Sequence, residues 1–462
     1  MEHLGLSLPV KNIPALDPQF VPLAAFWKAY REKASQPLAI VVEAGPDQRA
    51  VLHTHVHGTP DMAAADAYMV DRLVKTLLWQ KGGHQVTICG SRPLFEQIAR
   101  AYQPGGSRAF DAAFMARVYE QPFSVHALDY DQTPESSSQS VSVGRHLDGC
   151  RIGFDAGGSD RKVSAVIDGE AVFSEEVVWL PKEQADPNYH YQGILEAFRA
   201  AAARMPRVDG IGISSAGIYI NNRTMVASLF LKVPDDLFEA KVKDIFIRAA
   251  RAIGPDIPVV VCNDGDVSAL AGAMSLDSGE VLGLAMGTSE AGGYVDEHGN
   301  ITGWLNELAF VPVDANPGAM ADEWSGDIGC GVKYFSQDGV IKLAPRAGID
   351  LSAAATPAGK LKIVQKQMEA GDERAAAIYK SIGCYLAHGL AWYNEFYKMK
   401  HVLLLGRVMS GKGGDLILEE AKRVLADEYP EVTLLPALPD EKFRRIGQSV
   451  AAASLPDIRK RG

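Results

Sequence analysis

Two apolar runs with polar interruptions, LAIVVEAG and RAVLHTHV within residues 38–56, flank a Gly-Pro-Asp turn and predict a pair of strands. The next stretch, DAYMVDRLVKTLLWQKG (66–82), spaces its apolar residues three and four apart and predicts a helix ending at Gly82. HQVTICG predicts a strand, RPLFEQIARAYQ a helix, and FSVHALD (123–129) a last strand. The pattern then lapses in DQTPESSSQSVSVGR (131–145), rich in Ser and Gln, which reads as a linker. It resumes with three strands across residues 151–180, the second and third joined at Asp168-Gly169, a strong hairpin turn. A helix over 189–205, a buried strand over 208–217, a helix over 236–254 and a strand over 257–264 follow.

A second cycle opens at residue 280 with strands broken by a Gly-rich turn and by a turn at Glu297-His298-Gly299. Helices over 358–370 and 373–398, the strand HVLLLG, a helix over 414–428, the strand VTLLPA and a helix over 440–455 complete it. Strands followed by strand–helix alternation, repeated, is a duplicated α/β pattern. At 462 residues the chain exceeds one core. The expectation is a separate small α/β domain over 1–130, a linker over 131–146, and two duplicated lobes over 147–272, with the last helix returning to it, and over 273–439.

Composition narrows the function classes. The formal net charge of −11 disfavours general nucleic-acid or anionic-membrane binding. No apolar run reaches the ~18 residues of a membrane span, and the first residues lack the basic-then-apolar pattern of a signal peptide. The five cysteines are scattered, with no CxxC, which suits reduced thiols in a cytoplasmic protein.

Three stretches carry candidate chemistry. In GFDAGGS an apolar strand delivers Asp155, and Gly157, Gly158 and Ser159 form a turn whose backbone N–H groups suit an anion. An acid beside a phosphate site makes sense with a Mg²⁺ between them, its waters retained. MGTSEAGG repeats the device at Gly287-Thr288 at the start of the second cycle. In VVVCNDGDVSALAGAM a strand ends at Asn263-Asp264 before an Ala-rich helix, and a carboxylate there can take a proton from a hydroxyl attacking a phosphoryl group. The plainer reading of that stretch is a helix cap by Asp264 or Asp266.

Together, Asp-x-Gly-Gly-Ser, Asn-Asp-Gly and Gly-Thr-x-x-x-Gly-Gly resemble the ROK sugar kinases of the actin/hexokinase/heat-shock-chaperone ATPase superfamily, over residues 150–456. The resemblance implies a two-lobed duplicated ribonuclease-H-like (actin/sugar-kinase) fold and ATP-dependent phosphorylation of a sugar. It implies Asp264 as base, Asn263 and Glu307 as sugar contacts, and Asp155, Gly157, Gly158, Ser159, Gly287 and Thr288 around Mg-ATP, with Asp155 linked to Mg²⁺ through water. Gly406, after the strand LLL, matches the family's adenosine loop; the near-Walker run Gly406-x₄-Gly411-Lys412 lacks the following Ser/Thr. A homodimer is the family habit.

The chain departs from the pattern at two sugar contacts. Phe310 stands where the family has a histidine and Val332 where it has a glutamate; of the cysteine cluster only Cys330 remains, so no structural zinc is expected. The departures favour an alternative, a non-catalytic sugar- or nucleotide-binding regulator. The strand-rich first segment does not resemble the DNA-binding helix-turn-helix of the family's repressors. His53, His55 and His57 share one strand face, which reads as exposed or stacked before it reads as a metal site.

Overall fold

The computed structural model describes residues 1–138 and 143–458, without the side chains of residues 441, 442 and 444–446. Helix α1 (Leu23–Arg31) precedes the antiparallel pair β1 (Gln36–Gly45) and β2 (Gln48–Val56). Then come α2 (Ala63–Lys81), β3 (Gln85–Cys89), α3 (Arg92–Ala101), α4 (Ala109–Tyr119), β4 (Ser124–Leu128) and β5 (Ser137–Ser138). These strands form one sheet in the order β4-β3-β1-β2-β5. The end of α2 fits the sequence reading: Gly82 has φ 80, a conformation natural to glycine. Part of the expected linker is ordered as β5, paired with β2; its residues 139–142 lie outside the described residues.

Next come β6 (Cys150–Ala156), β7 (Asp160–Ile167), β8 (Glu170–Val178), α5 (Pro187–Ala202), β9 (Gly210–Ser215), α6 (Ile245–Arg251), β10 (Val259–Asn263) and α7 (Asp264–Leu276). Their five strands form a sheet in the order β8-β7-β6-β9-β10, the last three mutually parallel. The turn joining β7 to β8 holds Asp168 at φ 47 and Gly169 at φ 87, as a two-residue hairpin turn requires. The continuous helix expected over 236–254 is broken. The Lys243 carbonyl accepts from the Thr224 N–H at 2.9 Å and a π-turn spans Phe238–Val242, so regular helix begins only at Ile245.

The second cycle repeats the order in reduced form. β11 (Val281–Met286), β12 (Glu290–Val295), β13 (His401–Leu405) and β14 (Leu435–Ala437) form a sheet ordered β12-β11-β13-β14. The third strand of the repeat is no more than the bridge Val295–Ile301. Helices α8 (Gln337–Leu343), α9 (Pro357–Glu369), α10 (Glu373–Asn394), α11 (Gly411–Glu428) and α12 (Glu441–Ala453) complete the chain. No described helix is long and apolar enough to cross a membrane.

The chain forms two compact units. The first comprises Met1–Gln139, Leu284–Gly292 and Trp304–Leu438. The stretch that the sequence sets apart as 1–130 thus packs in one unit with the second-cycle residues. Its α2 supplies a buried ionic cluster: Asp327 meets Arg72 at 2.9 Å, Arg108 at 2.8 Å and Lys75 at 3.2 Å. Asp71 and Asp111 bring the count of carboxylates to that of the three cations. Beside it, Trp79 stacks on Phe310 with ring centroids 4.1 Å apart, and Phe110 and Phe114 close the aromatic group. Of the histidines on β2, His53 and His55 are exposed, while His57 Nε2 donates to the Tyr30 carbonyl at 3.0 Å.

The second unit comprises Ser140–Gly283, Gly293–Gly303 and Pro439–Gly462. Its core is built from Ile152, Phe154, Ile211, Ile213 and Val261 of the sheet against Phe198 of α5 and Phe246 of α6. On the opposite face α12 lies directly on β6 and β9. Glycine makes this approach possible: a methyl at Gly153 would run into the Ser449 carbonyl, and one at Gly212 into that of Ala452.

Candidate functional site

In the second unit, the carboxyl ends of three parallel strands place the candidate residues in a row. Register pairs Asp155 of β6 with Ser214 of β9, and Ser215 of β9 with Asn263 of β10. Ligands of open α/β sheets bind at such strand ends. Ser214 Oγ donates to Asp155 Oδ1 at 2.8 Å. Burial pushes the Asp155 carboxyl up to about 6 despite that hydrogen bond, and the negative charge of Asp264 adds to the rise.

Asn263, rather than either aspartate, caps α7. Its Oδ1 accepts from the Gly265 N–H at 2.7 Å, and its Nδ2 donates to the Gly217 carbonyl at 2.7 Å. Asp264 therefore keeps its carboxylate in the first turn of the helix, with one oxygen 3.0 Å from the same N–H. Burial raises its pKa as well, so it favours taking up a proton more than a solvated aspartate does. Asp266 points elsewhere, accepting from the Tyr294 N–H at 3.2 Å. Two desolvated carboxyl groups, the charge of Asp264 adding to the cost of ionising Asp155, are a donor set that suits a divalent cation. Among the described residues no three His, Cys, Asp or Glu side chains form a metal cluster; Mg²⁺ needs fewer, since it keeps its waters.

The Gly157–Ser159 turn joins β6 to β7. Trp179 pins it: its indole Nε1 donates to the Gly157 carbonyl at 2.8 Å and to that of Asp160 at 3.1 Å. A methyl at Gly157 would stand 2.7 Å from the Asp160 carbonyl, so the tight turn needs glycine there. Gly158 and Ser159 are exposed, and the Ser159 hydroxyl donates to Asp160 at 2.9 Å.

In the first unit, Gly287 closes a tight turn, its N–H donating to the Ser289 carbonyl at 2.9 Å, and Thr288 is exposed at the tip. Gly406, at φ 93, ends β13 against the backbone of Met286, so the structure brings it beside this turn. The near-Walker lysine, Lys412, instead donates to the Glu369 carbonyl at 2.9 Å and opens α11. Glu307 is half-buried, and its N–H donates to the Trp79 carbonyl at 2.9 Å. Phe310, three residues on, lies under the Trp79 indole, and Cys330 is buried beside Asp327. The sequence reading missed Ser214, Trp179 and Tyr219. Only Ser214 left a signal, a hydroxyl pair closing an apolar strand; Tyr219, whose hydroxyl donates to the Ala216 carbonyl at 3.3 Å, is raised in pKa chiefly by burial and further by Asp264.

No protein-family model matches the chain, and no curated protein matches it in sequence. Solved structures match it in fold. The ROK hexokinase from Thermus thermophilus aligns with a TM-score of 0.51 at 19% identity, over 66% of this chain and 96% of that one. A ROK family glucokinase from Streptomyces griseus, in complex with glucose and AMPPNP, gives 0.47 at 19% identity, over 66% and 98%. A ROK family transcriptional regulator, a homologue of the E. coli MLC protein, gives 0.49 at 16%, over 67% and 79%. The fold is the mixed α/β, actin-like fold of the ROK sugar kinases.

Proposed function

We propose that this protein is an ATP-dependent kinase that phosphorylates a hydroxyl of a sugar or sugar derivative. The observation that carries the reading is the row at the carboxyl ends of β6, β9 and β10, where register pairs Asp155 with Ser214 and Ser215 with Asn263, and Asp264 follows in the first turn of α7. Asp264 takes the proton of the attacking hydroxyl as its oxygen bonds to phosphorus. Asn263, with a second Nδ2 hydrogen beyond the one given to Gly217, offers the sugar a donor next to the base. Backbone N–H groups of Gly157, Gly158 and Ser159 receive phosphate oxygens, on a turn that Trp179 fixes in advance. Asp155, oriented by Ser214, would hold Mg²⁺ with Asp264 nearby, and the ion would supply positive charge against the phosphates. Gly287, Thr288 and Gly406 are assigned to the nucleotide and Glu307 to the sugar.

The test is ADP release from Mg-ATP against hexoses, amino sugars, sugar acids and polyols, with Asp264→Asn in parallel. Acceptor-dependent turnover that falls at least ~100-fold in the variant supports the reading. A second reading, a binding protein without turnover, draws on Phe310, which is packed under Trp79 where a sugar-contacting histidine is expected. Calorimetric binding of a sugar or nucleotide with no turnover on any acceptor would select it.

A further inference from the structure

Lys182 belongs to none of the motifs above. It sits in the 3₁₀ turn Pro181–Glu183, exposed, and forms no ion pair with a described residue. Its backbone, however, is fixed from both sides. On one side is Trp179, bonded to the Gly157, Ser159 and Asp160 carbonyls. On the other, His190 Nε2 lies 2.9 Å from the Pro181 carbonyl, and the Leu180 N–H donates to Tyr189 Oη at 3.2 Å. The side chain then runs across the glycine turn: a methyl on Gly158 would lie 2.8 Å from Lys182 Cε and 3.1 Å from Nζ. The absent side chain at 158 is what leaves room for the ammonium group.

We infer that Lys182 contacts the γ-phosphoryl group of Mg-ATP, an inference that rests on the kinase reading above. The ammonium group lies beside the turn assigned to the phosphates, and its positive charge reaches Asp264, whose ionised form it favours. The group that stands between a phosphate turn and the base is the one being transferred. In the step, the acceptor oxygen gives its proton to Asp264 and forms the new O–P bond. The bond from Pγ to the bridging oxygen breaks, and its electron pair leaves with ADP. Negative charge on the three equatorial oxygens persists throughout, and an ammonium group beside them stabilises it. Lysine suits this role as a compact point charge with three donors.

The experiment is calorimetric titration of the full chain, wild type, Lys182→Met and Lys182→Arg, with Mg-ATP and separately with Mg-ADP. The expected result is a loss of about ten- to hundredfold in ATP affinity for Lys182→Met, with ADP affinity held within about threefold. Lys182→Arg regains most of the ATP affinity. If wild type binds both nucleotides and Lys182→Met weakens them equally or leaves both unchanged, the inference falls and the kinase reading stands. If wild type binds neither nucleotide, both fall together.

Discussion

Glu290 shows how far one residue can depart from its usual chemistry. It is 3% exposed, its Oε1 accepts from the Tyr393 hydroxyl at 2.9 Å, and its other oxygen has no partner. Burial pushes its carboxyl up to about 8 from the usual 4.5, so the folded protein keeps a proton that the unfolded chain releases. Stability from this group is complete below about 4.5 and declines as the pH rises through about 8. Denaturant unfolding across that window should show stability falling with pH, by at most ~1.4 kcal/mol per unit from this residue. Glu290→Gln, which keeps the shape without the titration, should flatten the slope. Nothing in MGTSEAGG announces this, because the burial is tertiary; the Tyr393 hydroxyl, from far along the chain, only offsets part of the rise through its hydrogen bond.

Among the elements, helix α12 and the β6–β7 hairpin both demand glycine, for different reasons. Gly153 and Gly212 are places where a helix sits on a sheet, so any side chain there forces α12 away. Gly153→Ala and Gly212→Ala should each cost about 1–3 kcal/mol in denaturant unfolding. Gly287→Ala, with no atom but the Ser289 carbonyl at 3.7 Å, should cost far less. The hairpin depends on Trp179 as well. Trp179→Phe keeps the ring but removes the donor shared by the Gly157 and Asp160 carbonyls. It should lower stability by about 1 kcal/mol and weaken Mg-ATP binding severalfold by calorimetry, since the turn would no longer be preorganised. The strands and turns involved were legible in the sequence, from alternating apolar residues and from Asp-Gly. The glycine requirement beneath α12 was not, since it arises from a helix far along the chain.

At the scale of the whole chain, the buried ionic cluster ties α2 to Asp327, 255 residues beyond Arg72. Removing one charge from a balanced buried set leaves the others uncompensated. Asp327→Ala should therefore cost about 3–5 kcal/mol, read as a shift in denaturant midpoint. Glu96→Ala, which breaks the exposed pair with Arg92, should shift it little. By itself the sequence determined the order and type of most elements, the duplicated pattern, and the placing of Asp155 and of Asn263-Asp264 at the ends of apolar strands. Those follow from local period and from acids and glycines placed at strand ends, which need no knowledge of distant partners. Only the tertiary structure decided that Asn263 caps the helix while Asp264 lies in its first turn, that Ser214 and Trp179 frame the candidate site, and that the first 130 residues pack against Phe310 and Asp327. Each of those outcomes depends on register, burial or charge balance between segments far apart in the chain.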